Sequence, residues 1–536
     1  MDRSRIMLVA LLSTVSSYAI AQDVLCNLLT NSTTYWPAPT LSKPEYLKPI
    51  TDPTFGTKIT RIVGNPGDPI PNIPGVVWAA QQERHEYSKT QVWNCDQSMM
   101  YLGRHYPNLW LDGNTYQVLF TRPSKPSDRT LLWSHTEPNI MYHTGMSGQS
   151  HIGKWDVVKN VSTELIDLRA YSSCSLGEGE GNFCADGTKA AIYGIRKSDG
   201  KDVVFVVDVV NKTKGVDIEA PHDFLGRPAF DNCTLSYLGN YVIINYGPDP
   251  GDFIRVHKAS DGTLVWTETR YGLPSHFDVQ IDQNGDEVIA GVAKSGVVGV
   301  PNTGIIIKRK LSDGTITALT KTGYASHTSG RNLKRPGWVF VTHQNLQTNT
   351  QYLPYINEID AVRLDGSRVE RICNVRVDKY LLPGGDQYYF ESHGCPSPDG
   401  LRVIFASDWD KGAYPVQVYV ADFRDKIIAT SVQAIGASPL SSGPSLIGNY
   451  PNPFNPTTTI SYQLPAPSKV EGSAISITTL KVFDVLGREV ATLVDKELPA
   501  GSYQASFDGS HLNSGVYFYQ MRAGKFMQTG RMVLAK

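Results

Sequence analysis

The chain alternates short apolar runs with polar turns over most of its length. The clearest unit is the stretch from Glu391 to Asp408. It has a polar start (Glu391-Ser392-His393-Gly394), a Pro398-Asp399-Gly400 turn and then the run Arg402-Val403-Ile404-Phe405-Ala406-Ser407. Gly accepts positive φ and Asp tolerates it, so Asp-Gly closes a tight turn. The β-branched and aromatic run that follows predicts a buried strand. Asp-Gly recurs at Asp112-Gly113, Asp186-Gly187, Asp199-Gly200, Asp261-Gly262, Asp313-Gly314 and Asp365-Gly366. Units begin near His85, Leu131, Ser173, His222, His276, His327 and His393, and three of these starts read Ser-His (Ser275-His276, Ser326-His327, Ser392-His393). Repeats of about 40–50 residues, each with several short strands, are the mark of propeller blades. The seven starts predict a seven-bladed β-propeller over residues 51–424, with the strand at 57–63 closing the last blade. Such closure removes an open sheet edge.

Beyond the propeller the period changes. Residues 425–446 are Ser/Gly/Pro-rich and read as a linker, and 447–536 carry strands at 458–463, 479–484, 501–507 and 515–521. That spacing predicts a small Ig-like β-sandwich. Ahead of the propeller, Arg3 and Arg5 precede an apolar run and Ala19-Ile20-Ala21, so residues 1–21 are expected to be a signal peptide and 22–50 an irregular leader. The fold class is all-β. Lys+Arg 50 against Asp+Glu 51 gives a net charge of −1, which offers no field for nucleic acid. No later stretch is long and apolar enough to span a membrane. The seven cysteines include no Cys-x-x-Cys, and Cys174 and Cys184 are either a local disulfide or buried thiols.

In a propeller the first strand of each blade lines the channel. His85, His276, His327 and His393 are therefore expected at one mouth, where imidazoles from separate blades can hold a metal if oxygen donors join them. They could equally tie strand starts to neighbouring loops. Other motifs are weaker. Gly177-Glu178-Gly179-Glu180-Gly181 lacks the lysine of a phosphate loop and reads as a turn, and Asp282-x-Asn284-Gly285-Asp286-Glu287 reads as a hairpin turn before a calcium loop. Trp78, Trp93, Trp110, Trp133 and Trp155 are core or sugar-stacking positions.

Two family resemblances follow from quoted residues. Asn449-Tyr450-Pro451-Asn452-Pro453-Phe454-Asn455-Pro456, Val482-Phe483-Asp484-Val485-Leu486-Gly487-Arg488-Glu489-Val490 and Ser514-Gly515-Val516-Tyr517-Phe518-Tyr519 resemble the C-terminal sorting domain of the type IX secretion system. This resemblance implies passage through the periplasm to a secreted or surface-attached state, with that machinery as partner. Asp52-Pro53 with Gly56-Thr57-Lys58-Ile59-Thr60-Arg61, Tyr246-Gly247-Pro248, Arg255, His276, Ser326-His327 and the run from Gln387 through Glu391 and His393 to Asp399 resemble oligogalacturonate lyases. Those enzymes are seven-bladed propellers that cleave pectic oligomers by β-elimination with a divalent metal, typically manganese.

The resemblance implies His327 and His393 as metal ligands, Arg255 as proton-abstracting residue and His276 as an active-site histidine. Glu391 stands where the family has a third metal histidine. The family's glutamine falls at Tyr388, with Gln387 one position away. The expected metal set is thus His327, Glu391, His393 and Gln387, for Mn²⁺ with Ca²⁺ or Zn²⁺ as alternatives. His85, Arg84 and Arg331 are the expected substrate-binding residues. A guanidinium is essentially always protonated, which favours His276 as base and Arg255 as a carboxylate clamp; the resemblance assigns the base to Arg255. The expected function is a secreted lyase of uronate-containing glycans. The alternative is a non-catalytic surface propeller that binds glycan or protein.

Overall fold

A computed structural model describes residues 24–536 apart from 31–33, 106, 123, 128, 221–229, 247–253, 269–273, 294–303, 322, 324, 344–354, 378–389, 411–413, 429–432, 436–444, 451, 465–474, 500, 510–511 and 525. The proposed signal peptide, His222, Gly247, Pro248, Gln387 and Tyr388 lie outside the described residues. The chain divides into two compact units, residues 26–427 and, with the N-terminal stretch, residues 428–536.

In the first unit, antiparallel sheets follow one another along the chain at residues 99–122, 132–167, 171–219, 230–268, 274–318, 325–374 and 395–422. Within each, sequence neighbours pair, as short Asp-Gly and Asn-Gly turns dictate; Gly187 and Gly400 take φ of 75° and 65° there. Lys58–Arg61 joins the last sheet, pairing antiparallel with Val416–Asp422 from Lys58↔Asp422 to Arg61↔Tyr419. This is the closing strand expected at 57–63. The larger cores of this unit lie between adjacent sheets. Ile243 and Ile254 pack on Phe277, Val279 and Ile289, and Ile404, Val418 and Val420 of the last sheet pack on Met100, Leu102 and Leu109 of the first. The row of sheets therefore closes on itself, as a β-propeller does.

Trp78, Trp93, Trp110, Trp133 and Trp155 are all buried in these cores, so none is a sugar platform. All seven cysteines are free thiols, and the disulfide reading of Cys174 and Cys184 is not adopted.

The second unit contains two four-stranded sheets. One is ordered Gln433–Ile435, Gly501–Asp508, Thr457–Leu464 and Ser445–Tyr450, the other Glu489–Pro499, Ile475–Phe483, Gly515–Ala523 and Phe526–Leu534. Ile460, Tyr462 and Phe507 from the first share a core with Leu480, Val482 and Met521 from the second. Alternating burial along Thr457–Leu464 follows from this, one face inward and one to solvent.

Candidate metal centre

Three histidines stand at the starts of successive inner strands. His276 lies in Pro274–Ile281, His327 in Ala325–Ser329, and His393 two residues before Cys395–Pro396. The strand pairing slips between Ser275 and Asp278 and between Ala325 and His327. His276 and His393 take φ of 47° and 45°. A bulge with an extra residue re-aims a side chain, and a non-glycine residue at positive φ persists only where its surroundings enforce it. Here the effect is convergence. The His327 ring lies 4.6 Å from that of His276 and 4.4 Å from that of His393, centroid to centroid. Glu391 completes the group: its Oε2 is 3.2 Å from His393 Nε2 and 3.5 Å from His327 Nε2. One ligand atom from each of His327, Glu391 and His393 falls within 4.8 Å of the others.

The surrounding contacts fix these rings. Ser326 Oγ donates to the Thr342 carbonyl at 3.1 Å, so it receives Nδ1–H of His327, also at 3.1 Å. That leaves the lone pair of His327 on Nε2, turned to Glu391. His85 Nε2 meets the His393 carbonyl at 2.6 Å, and Gly394 N–H donates to Thr342 Oγ1 at 2.9 Å. The Arg84 guanidinium touches His393 Nδ1. The Tyr87 ring packs edge-on against His327 and His393, at 5.4 and 4.8 Å, and its hydroxyl lies 3.1 Å from His276 Nδ1. His276 is exposed and Tyr87 half-buried, so this pair forms the solvent side of the cluster.

Burial holds His327 well below the usual imidazole range, helped by its neighbours His393 and His276 and opposed by Glu391. Burial and then Arg84 do the same to His393. His85 is pushed down to about 3 by burial and Arg84. Neutral imidazoles are the form that binds metal. A guanidinium only donates, so Arg84 on Nδ1 places the proton of His393 on Nε2, pointing at Glu391. A divalent ion at Nε2 would require that proton to shift to Nδ1 and Arg84 to turn away from it, so that His393 binds as a neutral imidazole. Two neutral imidazoles and a carboxylate, with exposed His276 on the solvent side, fit a borderline or hard divalent cation.

The other expected residues are distributed differently. Arg84 and His85 are 1% and 0% exposed and hold His393 in place. Arg331 is buried against Asp278, with bonds of 2.9 and 2.5 Å. Arg255 lies on Ile254–Lys258, in the sheet preceding His276, with its guanidinium 5.9 Å from the Tyr246 ring. Glu180, in the Gly-Glu-Gly-Glu-Gly turn, pairs with Lys89. Asp282 accepts the backbone N–H of Asn284 and Asp286 and pairs with Lys308 at 2.6 Å, which makes that stretch a hairpin turn. Tyr87 and Thr342 were not singled out from sequence, and Ser326 entered only as the first member of a Ser-His start; the spacing Arg84-His85-x-Tyr87 beside a channel histidine was the available signal.

Residues 449–535 match the family described as "Secretion system C-terminal sorting domain". No curated protein matches the chain. Similar solved structures include Kuenenia stuttgartiensis hydrazine synthase, at 10% identity over 62% of this chain and 96% of that one, TM-score 0.36. A Dos1 propeller is 11% identical over 64% and 83%, TM-score 0.34. Porphyromonas gingivalis dipeptidyl peptidase 4 is 8% identical over 71% and 65%, TM-score 0.33. Likenesses this weak assign no activity. Among the described residues no helix is long and apolar enough to cross a membrane. The tail is thus a type IX secretion sorting domain, and the protein is carried through the periplasm to the cell surface or the medium.

Proposed function

We propose that the protein is a secreted, metal-dependent lyase of uronate-containing glycans, built as a seven-bladed propeller with an Ig-like sorting sandwich. The observation that carries the proposal is the meeting, within 4.8 Å, of His327 with Glu391 and His393, which come from two stretches of the chain. These three residues would hold the ion. When bound, it would neutralise the uronate carboxylate, so that the neighbouring C–H becomes acid enough to lose its proton. Arg84 and His85 keep His393 in register. His276, exposed and bonded to Tyr87, is the better-placed group to accept or return a proton at the sugar. Arg255 sits over Tyr246 and suits a clamp on a second carboxylate.

Incubation with oligogalacturonate and Mn²⁺ should raise ultraviolet absorbance as the unsaturated uronate forms. No rise with any of several uronate polymers would exclude the lyase. A second reading, a non-catalytic propeller that binds glycan or protein, is favoured by the Arg84 contact, which lets His393 satisfy Glu391 without an ion. Metal content of the purified protein, repeated on His327→Ala and His393→Ala, separates the two.

A further inference from the structure

Between the sheets of residues 171–219 and 230–268 the flank of the first unit opens into a cavity of about 580 Å³, inside the roughly 300–1,000 Å³ span of small-ligand sites. Gly215, Gly239, Ala259 and Ser260 are among its lining residues, so a ligand there meets backbone and short side chains over part of the surface. Lys189 and Lys258 stand exposed on its walls, and among the described residues neither ammonium has a hydrogen bond or ion pair. The third lysine, Lys214, is tied to Asp217 at 2.6 Å. The carboxylate lining the cavity, Asp208, is turned into its own loop, accepting N–H of Val210 and Asn211 at 3.0 and 2.8 Å and the Asn211 amide at 2.9 Å. The field inside is therefore positive. Tyr241 adds a half-buried ring to the wall, a flat face for the apolar side of a sugar.

We infer that this groove is a second binding site, for a segment of acidic glycan. Lys189 and Lys258 pair with carboxylates or sulfates on nearby sugars while one ring lies on Tyr241. Exposed lysine–anion contacts are individually weak, so affinity comes from repeated charges along one chain. The site is separate from the histidine cluster and does not depend on chemistry there.

The test is calorimetric titration of a short oligogalacturonate into the full chain with metal chelated, in the His327→Ala background. Binding is expected, lost at high salt and absent for a neutral cello-oligosaccharide. It should weaken by about tenfold or more in the Lys189→Glu/Lys258→Glu variant. Ser260→Trp, which puts a bulky ring on the lining while leaving every charge in place, should weaken it comparably. Thermal melts matching the parent establish that the variants are folded. Absence of binding, or binding unchanged in the charge-reversed variant, overturns the site. Equal binding of polyglutamate, indifferent to Ser260→Trp, overturns the glycan assignment in favour of a general basic surface.

Discussion

Nε2 of His327 lies 3.5 Å from Oε2 of Glu391, although 63 positions separate the two residues in the sequence. Ser326 has placed the His327 proton on the far nitrogen, so a lone pair faces a carboxylate. Two acceptors held that close need something positive between them. His393 supplies a proton to the same oxygen from its own side, at 3.2 Å. A cation supplies more.

The first prediction concerns that cation. His327→Ala and Glu391→Gln should lose Mn²⁺ affinity by more than the ~10–100-fold typical of an outer-shell change, while Ser326→Ala should fall within that range. Because burial lowers the pKa of both imidazoles, binding should stay level through neutral pH, without net proton release, and decline only in acid, where metal entry displaces protons. Calorimetry in buffers of different ionisation enthalpy reads both. Equal affinity in all four proteins would rule out the assigned ligands.

Arg331 provides the second. Its side chain and that of Asp278 are 1% and 2% exposed, and they form a bidentate pair. Removing one member of such a pair typically costs about 3–5 kcal/mol, because the other charge is left buried and unpaired. Arg331→Met should therefore lower the denaturant midpoint sharply, and conditions that restore folding should restore glycan affinity. Weakened affinity at parental stability would return Arg331 to the substrate.

That case marks where the sequence stops being informative. Hydrophobic period, Asp-Gly turns and Ser-His starts locate the strands, and they place His276, His327 and His393 at equivalent positions of neighbouring sheets. The closing strand Lys58–Arg61 is legible because an alternating run stands alone at one end while a sheet lacks a strand at the other. Side-chain direction is not legible. Arg84, His85 and Arg331 are polar residues beside a channel, and only tertiary packing turns them inward. Positive φ at His276 and His393 has no sequence mark comparable to glycine. Tyr87 looked like any strand tyrosine.

Stability should fall early on acidification. Burial, with Arg331 nearby, pushes His135 down to about 4, and burial with His151 pushes His143 to about 4 as well. Both folded values lie below the unfolded value of about 6.5, so the unfolded chain binds more protons between. Their contribution is complete above about pH 6.5 and is lost as pH falls toward 4, by at most roughly 3 kcal/mol for half-buried His135. Chemical denaturation at a series of pH values measures it, and His135→Gln should flatten the slope. A slope unchanged by that substitution would assign the acid sensitivity elsewhere.

Residues 449–535 should carry the export signal alone. Truncation after residue 446 is expected to leave the protein in the periplasm with its β signature intact, because the sheets of residues 26–427 form their own compact unit. Fractionation with circular dichroism of the recovered protein decides it; truncated protein reaching the medium as efficiently as the full chain would contradict the assignment.

Tyr87 is the sharpest test of the proposed chemistry. Tyr87→Phe keeps the ring that packs on His327 and His393 and removes the hydroxyl 3.1 Å from His276. Metal affinity should change little, because no ligand or outer-shell hydrogen bond of His327, Glu391 or His393 is lost. Turnover of oligogalacturonate should drop by ~10²–10⁴-fold if His276 and the phenol share the transferred proton. His276→Asn should fall equally, and the double variant no further, since members of one proton-transfer unit are not additive. Full turnover in Tyr87→Phe alongside loss in Arg255→Met would move the base to Arg255.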